Sequence, residues 1–185
     1  MPVTERTYER VALEDPEGQW ELHRGQLREK PGMTAAHNQL GVDLAFAVMQ
    51  QLDCGEYTVR IGSARAKRSD ETYYIPDVFV VPTRLVLPQL GVTDRLEIYD
   101  EPLPFIAEIW SPSTGGYDVD AKVPEYMKRG DSEIWRLHPY ERTVTAWRRQ
   151  ADGSYTESVY SGGKVRLHAL SDVTVDLDAL FAPVT

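Results

Sequence analysis

The sequence predicts an α+β fold, a mixed β-sheet flanked by helices with an antiparallel meander at its C-terminal end. Three observations carry that reading. The apolar runs "YIPDVFVV" (74–81) and "LPFIAEIW" (103–110) read as strands covered on both faces. Leu40, Leu44, Ala47, Val48 and Leu52 recur on one helical face behind Thr34, a good N-cap, so a long helix packs on the sheet. Turn signals at His138-Pro139-Tyr140 and Asp152-Gly153 divide residues 132–160 into a three-stranded meander.

The remaining elements follow in chain order. Thr4 heads a short helix that stops before Pro16 and Gly18. "QWELHRGQLREKP" alternates around Arg24-Gly25 and predicts a hairpin. "YTVRIGSAR" and "YYIPDVFVV" are expected as two strands with a polar loop between them, and residues 82–102 as a long irregular acidic connection. After "EIW" comes a loop, "SPSTGGYDVD", then a short helix, "AKVPEYMKRG", stopped by Gly130. Pro124 belongs in a first turn, which makes Asp120 a better N-cap than Asp118 and puts Lys122 in that turn. The tail "VTVDLDALFAPVT" reads as a strand or a short final helix.

At 185 residues the chain is most simply one domain, 1–185, able to fold without disulfide or structural metal. One cysteine, no apolar leader and no long apolar run lead to the expectation of a soluble cytoplasmic protein without a membrane partner. The net charge of −9 argues against a protein that coats nucleic acid through bulk charge. That charge is uneven, however. Residues 76–120 carry eight Asp/Glu against two Lys/Arg, and residues 121–150 four against seven.

Asp77 and Glu108 stand out because each is a carboxylate within an apolar run. Neighbouring strands lie about 4.8 Å apart, so the two can converge. Two such charges about 4 Å apart repel by roughly 4 kcal/mol at an effective dielectric near 20, unless one is protonated or a divalent cation lies between them. Mg²⁺ suits such a pair, since it binds through one or two carboxylates and keeps several waters. Lys122, fourteen residues after Glu108, supplies a cation from the next helix. Each residue also has a plainer reading: Asp77 as a strand-start residue bonding locally, Glu108 paired with an arginine, Lys122 as a solvated first-turn residue. His37 reads first as a packing or surface histidine. The four histidines and single cysteine lack zinc-site spacing, "STGGYD" is no phosphate-binding loop, and Ser111 and Ser113 lack a nucleophile elbow.

Pro76-Asp77, Glu108 in its apolar strand and a following lysine resemble the PD-(D/E)XK nuclease superfamily. More closely, the order "WELHRG … H … PDV … EIWSPST … D…K…EY … EIW", from Trp20 to Arg148, is similar to a bacterial Uma-type family of uncharacterised restriction endonucleases. The resemblance implies a restriction-endonuclease-like core and Mg²⁺-dependent phosphodiester hydrolysis, with Mn²⁺ as a substitute. It implies Asp77, Glu108 and the main-chain carbonyl of Ile109 as metal ligands, and Lys122 as the catalytic lysine. The superfamily places that lysine two residues after the glutamate, where this chain has Trp110, so the resemblance implies migration to the following helix. Glu21 is expected as an accessory carboxylate at the site entrance, with Tyr126 and His37 as further accessory residues. The expected partners are nucleic acid, DNA ahead of RNA, and a second copy of the chain, because cutting a duplex takes two sites. Two rivals remain: an inactive nucleic-acid- or protein-binding module of the same fold, and a metal-free hydrolase using the two carboxylates as acid and base.

Overall fold

The structure, a computed structural model, describes residues 2–182 and, of Val119, the backbone alone. Helix α1 (Glu5–Glu14) starts where Thr4 accepts a hydrogen bond from the Thr7 amide. Strands β1 (Trp20–His23) and β2 (Gln26–Glu29) form the expected hairpin. Its two turn residues, Arg24 and Gly25, have φ of 49° and 76°, the left-handed pair that matches hairpin twist. Helix α2 (Ala35–Met49) is capped by Thr34 and buries Leu40, Leu44 and Val48. Leu52 lies beyond the helix end but still packs against the core.

The central strands differ from expectation, because each is broken in two. Strand β3 (Tyr57–Ile61) ends at Gly62, and β4 (Arg65–Ser69) begins beyond it. Strand β5 (Thr72–Tyr74) likewise gives way to β6 (Val78–Pro82). The expected polar loop is therefore the tight end of a β4–β5 hairpin. The halves join different sheets: β4 and β5 lie in a five-stranded sheet, β3 and β6 in a six-stranded one. Proline cannot donate to a ladder, so Ile75-Pro76-Asp77 is where the chain leaves one sheet for the other.

The 82–102 connection holds α3 (Thr83–Val86), a 3-10 turn and β7 (Ile98–Tyr99), which pairs with β4 and completes the five-stranded order β2-β1-β5-β4-β7. Strand β8 (Phe105–Ile109) is followed by a π-helical turn, Asp118–Lys122, that runs into α4 (Val123–Arg129). Neither Asp118 nor Asp120 caps this segment, since helical backbone is already present at Tyr117. Lys122 consequently closes the π turn instead of occupying a capped first turn, and Pro124 sits at the start of α4. Gly130, at φ 84°, ends α4 in the left-handed conformation.

The meander is β9 (Glu133–His138), β10 (Thr143–Arg149) and β11 (Tyr155–Tyr160). Strand β9 pairs parallel with β8, giving a mixed sheet in the order β11-β10-β9-β8-β6-β3. The tail contains both expected alternatives, β13 (Thr174–Asp176) and α5 (Leu177–Leu180), with β12 (Lys164–Arg166) as a further strand; residues 183–185 lie outside the described part. No described helix is long and apolar enough to cross a membrane.

Strands β6 and β8 are covered on both faces. Val78, Val80, Phe105 and Ala107 pack with α2 and the C-terminal elements. Phe79, Val81 and Ile106 pack with α4 and the other sheet. A polar side chain at the end of either strand therefore lies between layers, shielded from water.

Candidate active site

Strands β6 and β8 are antiparallel, with Val78 opposite Ala107 and Phe79 opposite Ile106. One step further along that register brings Asp77 opposite Glu108. Residues so placed have Cβ atoms about 4.5–5.5 Å apart where the sheet geometry continues. A direct link supports the juxtaposition: the Ile109 amide donates to Asp77 Oδ2 at 2.7 Å. Both carboxylates are buried, Asp77 at 6% and Glu108 at 1% exposure.

Asp77 is heavily partnered. Lys30 Nζ lies 2.5 Å from Oδ1 and also donates to the Ile75 carbonyl at 2.9 Å. His37 Nε2 lies 3.0 Å from Oδ2. Burial pushes the Asp77 carboxyl up, but Lys30, His37 and Lys122 outweigh it and hold the group well below the usual carboxylate range.

Glu108 is served differently. Its partners are Lys122 and Tyr126, not an arginine. Lys122 Nζ is 3.3 Å from both carboxylate oxygens, and the Tyr126 hydroxyl donates to Oε1 at 2.5 Å. The same ammonium is closer to Glu21, at 2.9 Å, and lies 3.7 Å from Asp118 Oδ1. Its charge is thus divided among three acids. Burial first, then the nearby Asp77 and Asp118 charges, push Glu108 up to about 8 despite Lys122. Burial also raises Asp118. Burial opposes the charge on Lys122, but Glu108, Glu21 and Asp118 more than restore it and raise its pKa well above normal.

Glu21 is not at an entrance. It is 1% exposed and accepts a hydrogen bond from the Ile75 amide at 2.9 Å. Strand β1 lies within the five-stranded sheet and has both Glu21 and Leu22 buried, so simple inside-outside alternation does not describe it. Trp110 is away from this cluster, stacked on His138 with ring centroids 4.3 Å apart. Two participants were not identified from sequence. Lys30 carries no local signal, being one lysine at a hairpin end before Pro31. Asp118 could have been found, because its i,i+4 spacing from Lys122 puts both on one helical face.

If all four buried carboxylates (Glu21, Asp77, Glu108, Asp118) were ionised they would outnumber the two ammonium groups (Lys30, Lys122) by two, and Glu108 relieves part of that excess by holding its proton up to about pH 8 unless a cation takes the proton's place. The buried Asp118 Oδ1 also has no hydrogen-bond partner among the described residues. Hard oxygen donors with such an excess of negative charge fit a divalent cation of the Mg²⁺ type. Among the described residues no group of three or more His, Cys, Asp or Glu side chains is arranged to hold a metal ion. Mg²⁺ commonly takes only one or two carboxylates, with water and substrate oxygens completing its shell.

This electrostatic pattern has a measurable consequence without metal. A carboxyl raised from 4.5 to about 8 contributes fully to stability below pH 4.5 and loses that contribution as pH rises to 8. Asp118 acts with the same sign, whereas the depressed Asp77 loses its contribution only as pH falls through the acid range. Chemical denaturation in chelator should therefore show stability falling between pH 5 and 8, with Glu108 contributing a slope of up to about 1.4 kcal/mol per pH unit. Glu108→Gln should flatten most of that slope. An unchanged slope in the variant would place the titration elsewhere.

Comparison with known proteins gives three findings. Residues 6–179 match the family model Uma2, described as "Putative restriction endonuclease". A crystal structure described as a "putative nuclease" from Anabaena variabilis superposes with a TM-score of 0.78 at 19% identity, over 97% of this chain and 98% of that one. That likeness establishes a shared fold. No curated protein matches the chain.

Proposed function

This chain is a member of the Uma2 restriction-endonuclease family, and we propose that it is a Mg²⁺-dependent endonuclease hydrolysing phosphodiester bonds in DNA. The observation that carries the reading is the buried cluster around Asp77 and Glu108, in which four carboxylates share two ammonium groups. When bound, the cation supplies an acidified water and counter-charge for the phosphoryl oxygens, and Mn²⁺ is expected to substitute. Asp77, Glu108 and the Ile109 carbonyl would hold it. His37 and the Ile109 amide fix the Asp77 carboxylate, while Tyr126 fixes that of Glu108. Glu21 holds the Lys122 ammonium beside Glu108, where it can orient the attacking water and offset charge developing on phosphorus-bound oxygen. Two copies would cut the two strands of a duplex. Strand β11, at the end of the six-stranded sheet, is the edge proposed to join them.

Calorimetric titration of Mg²⁺ and Mn²⁺ into the protein and Asp77→Ala, beside cleavage assays on DNA and RNA, tests the reading. Metal binding lost in Asp77→Ala, with DNA cleaved by the unmutated protein, is the expected result. Metal binding without cleavage of any nucleic acid would indicate the inactive module. No metal binding at all would leave the carboxylates as an acid/base pair or a structural cluster.

A further inference from the structure

Where α4 meets the β1–β2 turn and strand β4, three cations gather on one buried acid. Arg24 Nη2 is 3.2 Å from Glu125 Oε1, Lys128 Nζ is 2.8 Å from the same oxygen, and Arg68 Nε is 3.6 Å from Oε2. The Glu125 side chain is 6% exposed, whereas those of Arg24, Arg68 and Lys128 are 65%, 36% and 50% exposed. One carboxylate against three cations leaves a local charge of +2 on a chain whose net charge is −9.

The rim continues toward the candidate active site. The Arg28 guanidinium lies 3.5 Å over the Tyr117 ring, and His23 meets the edge of that ring. Tyr117 directly precedes Asp118, and its buried hydroxyl has no hydrogen-bond partner among the described residues. His23 in turn bonds to the Tyr74 hydroxyl at 2.5 Å, and the Tyr74 ring lies 5.8 Å from Lys122 Nζ.

Stability is a poor reason for this arrangement. The buried Glu125 carboxylate needs one counter-charge, but two further cations with side chains a third or more exposed gain little by pairing with it, and three like charges around one acid repel each other. Arg24 also occupies the first turn position at φ 49°, where asparagine, aspartate or glycine is the cheaper choice. An arginine kept at that conformational cost, pointing mostly into solvent, is better explained by what it meets there.

We propose that Arg24, Arg28, Arg68 and Lys128 form a phosphate track that seats the sugar–phosphate backbone of a nucleic-acid duplex beside the active site, with Glu125 as the internal counter-ion that spaces its three cations. The proposal rests on the nuclease reading and adds to it where the substrate lies. Phosphate contacts of this kind fix register and orientation and carry no base information. They also account for nucleic-acid binding by a chain with strongly negative net charge, because local potential, not the total, governs the encounter.

Fluorescence anisotropy with a labelled duplex in calcium buffer tests the track across a salt series. The Arg24→Gln/Arg68→Gln/Lys128→Gln variant should bind at least about tenfold more weakly at low salt. Its log K against log salt slope should be shallower by two to three, at about 0.9 for each phosphate that is no longer neutralised. Glu125→Gln should move the other way and bind several-fold tighter, because the rim gains one net positive charge. That second variant decides the matter should the triple variant fail to fold. Both variants binding like the unmutated protein would overturn the track and leave the nuclease reading intact. No duplex binding by the unmutated protein would overturn both.

Discussion

Lys122→Met should lower the unfolding free energy of the metal-free protein by about 3–5 kcal/mol and reduce DNA cleavage to background. The size follows from what the ammonium touches: three carboxylates within 3.7 Å, none more than 2% exposed on its side chain. Removing one partner of a buried ion pair strands the other charge in low dielectric, and here three acids are stranded together. The cluster can relieve part of the loss by taking up protons. Chemical denaturation at pH 9 should therefore show the full deficit, because Glu108, raised to about 8, is ionised there in the parent, and at pH 5 a smaller one, because Glu108 is then protonated in either protein. Saturating Mg²⁺ should also restore part of the stability by replacing the missing positive charge. Cleavage should stay lost under every condition that restores the fold. A variant that regains cleavage with Mg²⁺ would show Lys122 to be only a structural counter-ion.

Residues with a local reason for their conformation were legible in the sequence. Thr4 and Thr34 cap α1 and α2 through short-range bonds, and Arg24-Gly25 and Gly130 adopt the left-handed backbone their positions suggested. Glu108 was legible because nothing near it in the chain could satisfy a carboxylate. The break at Gly62 was not legible, and that at Pro76 only as the strand start a proline allows, which β6 from Val78 agrees with; a strand that changes sheets has the same apolar composition as one that does not. Glu21 was misplaced for a related reason. Alternation predicts one wet face, but Glu21 and Leu22, which point to opposite faces of β1, are both buried. The π turn at Asp118–Lys122 accompanies the placement of Lys122 among three acids, two of them distant in the chain, and capping rules do not describe it. Lys30 lies forty-seven residues from Asp77 in the chain, and only the folded junction between the two sheets brings them together.

Lys30→Met should tighten binding of Mn²⁺ or Mg²⁺ by at least about tenfold, equivalent to about 1.4 kcal/mol. The Lys30 ammonium stands 2.5 Å from Asp77 Oδ1, a position that a divalent ion using this carboxylate would have to share or take over. With a side-chain exposure of 4%, the ammonium has no ready path to water, so displacing it means breaking its bonds to Asp77 and to the Ile75 carbonyl together. Methionine keeps much of the length and apolar volume of the lysine stem while removing the charge. Asp77 would retain His37 and the Ile109 amide as partners, so its orientation should survive the change. The metal-free variant should be less stable than the parent, and the difference should shrink as the divalent ion is added. Isothermal titration on both proteins reads the affinity directly. A Lys30→Met variant that binds the ion more weakly would mean that the lysine holds Asp77 in place for the metal, and the competition argued here would be wrong.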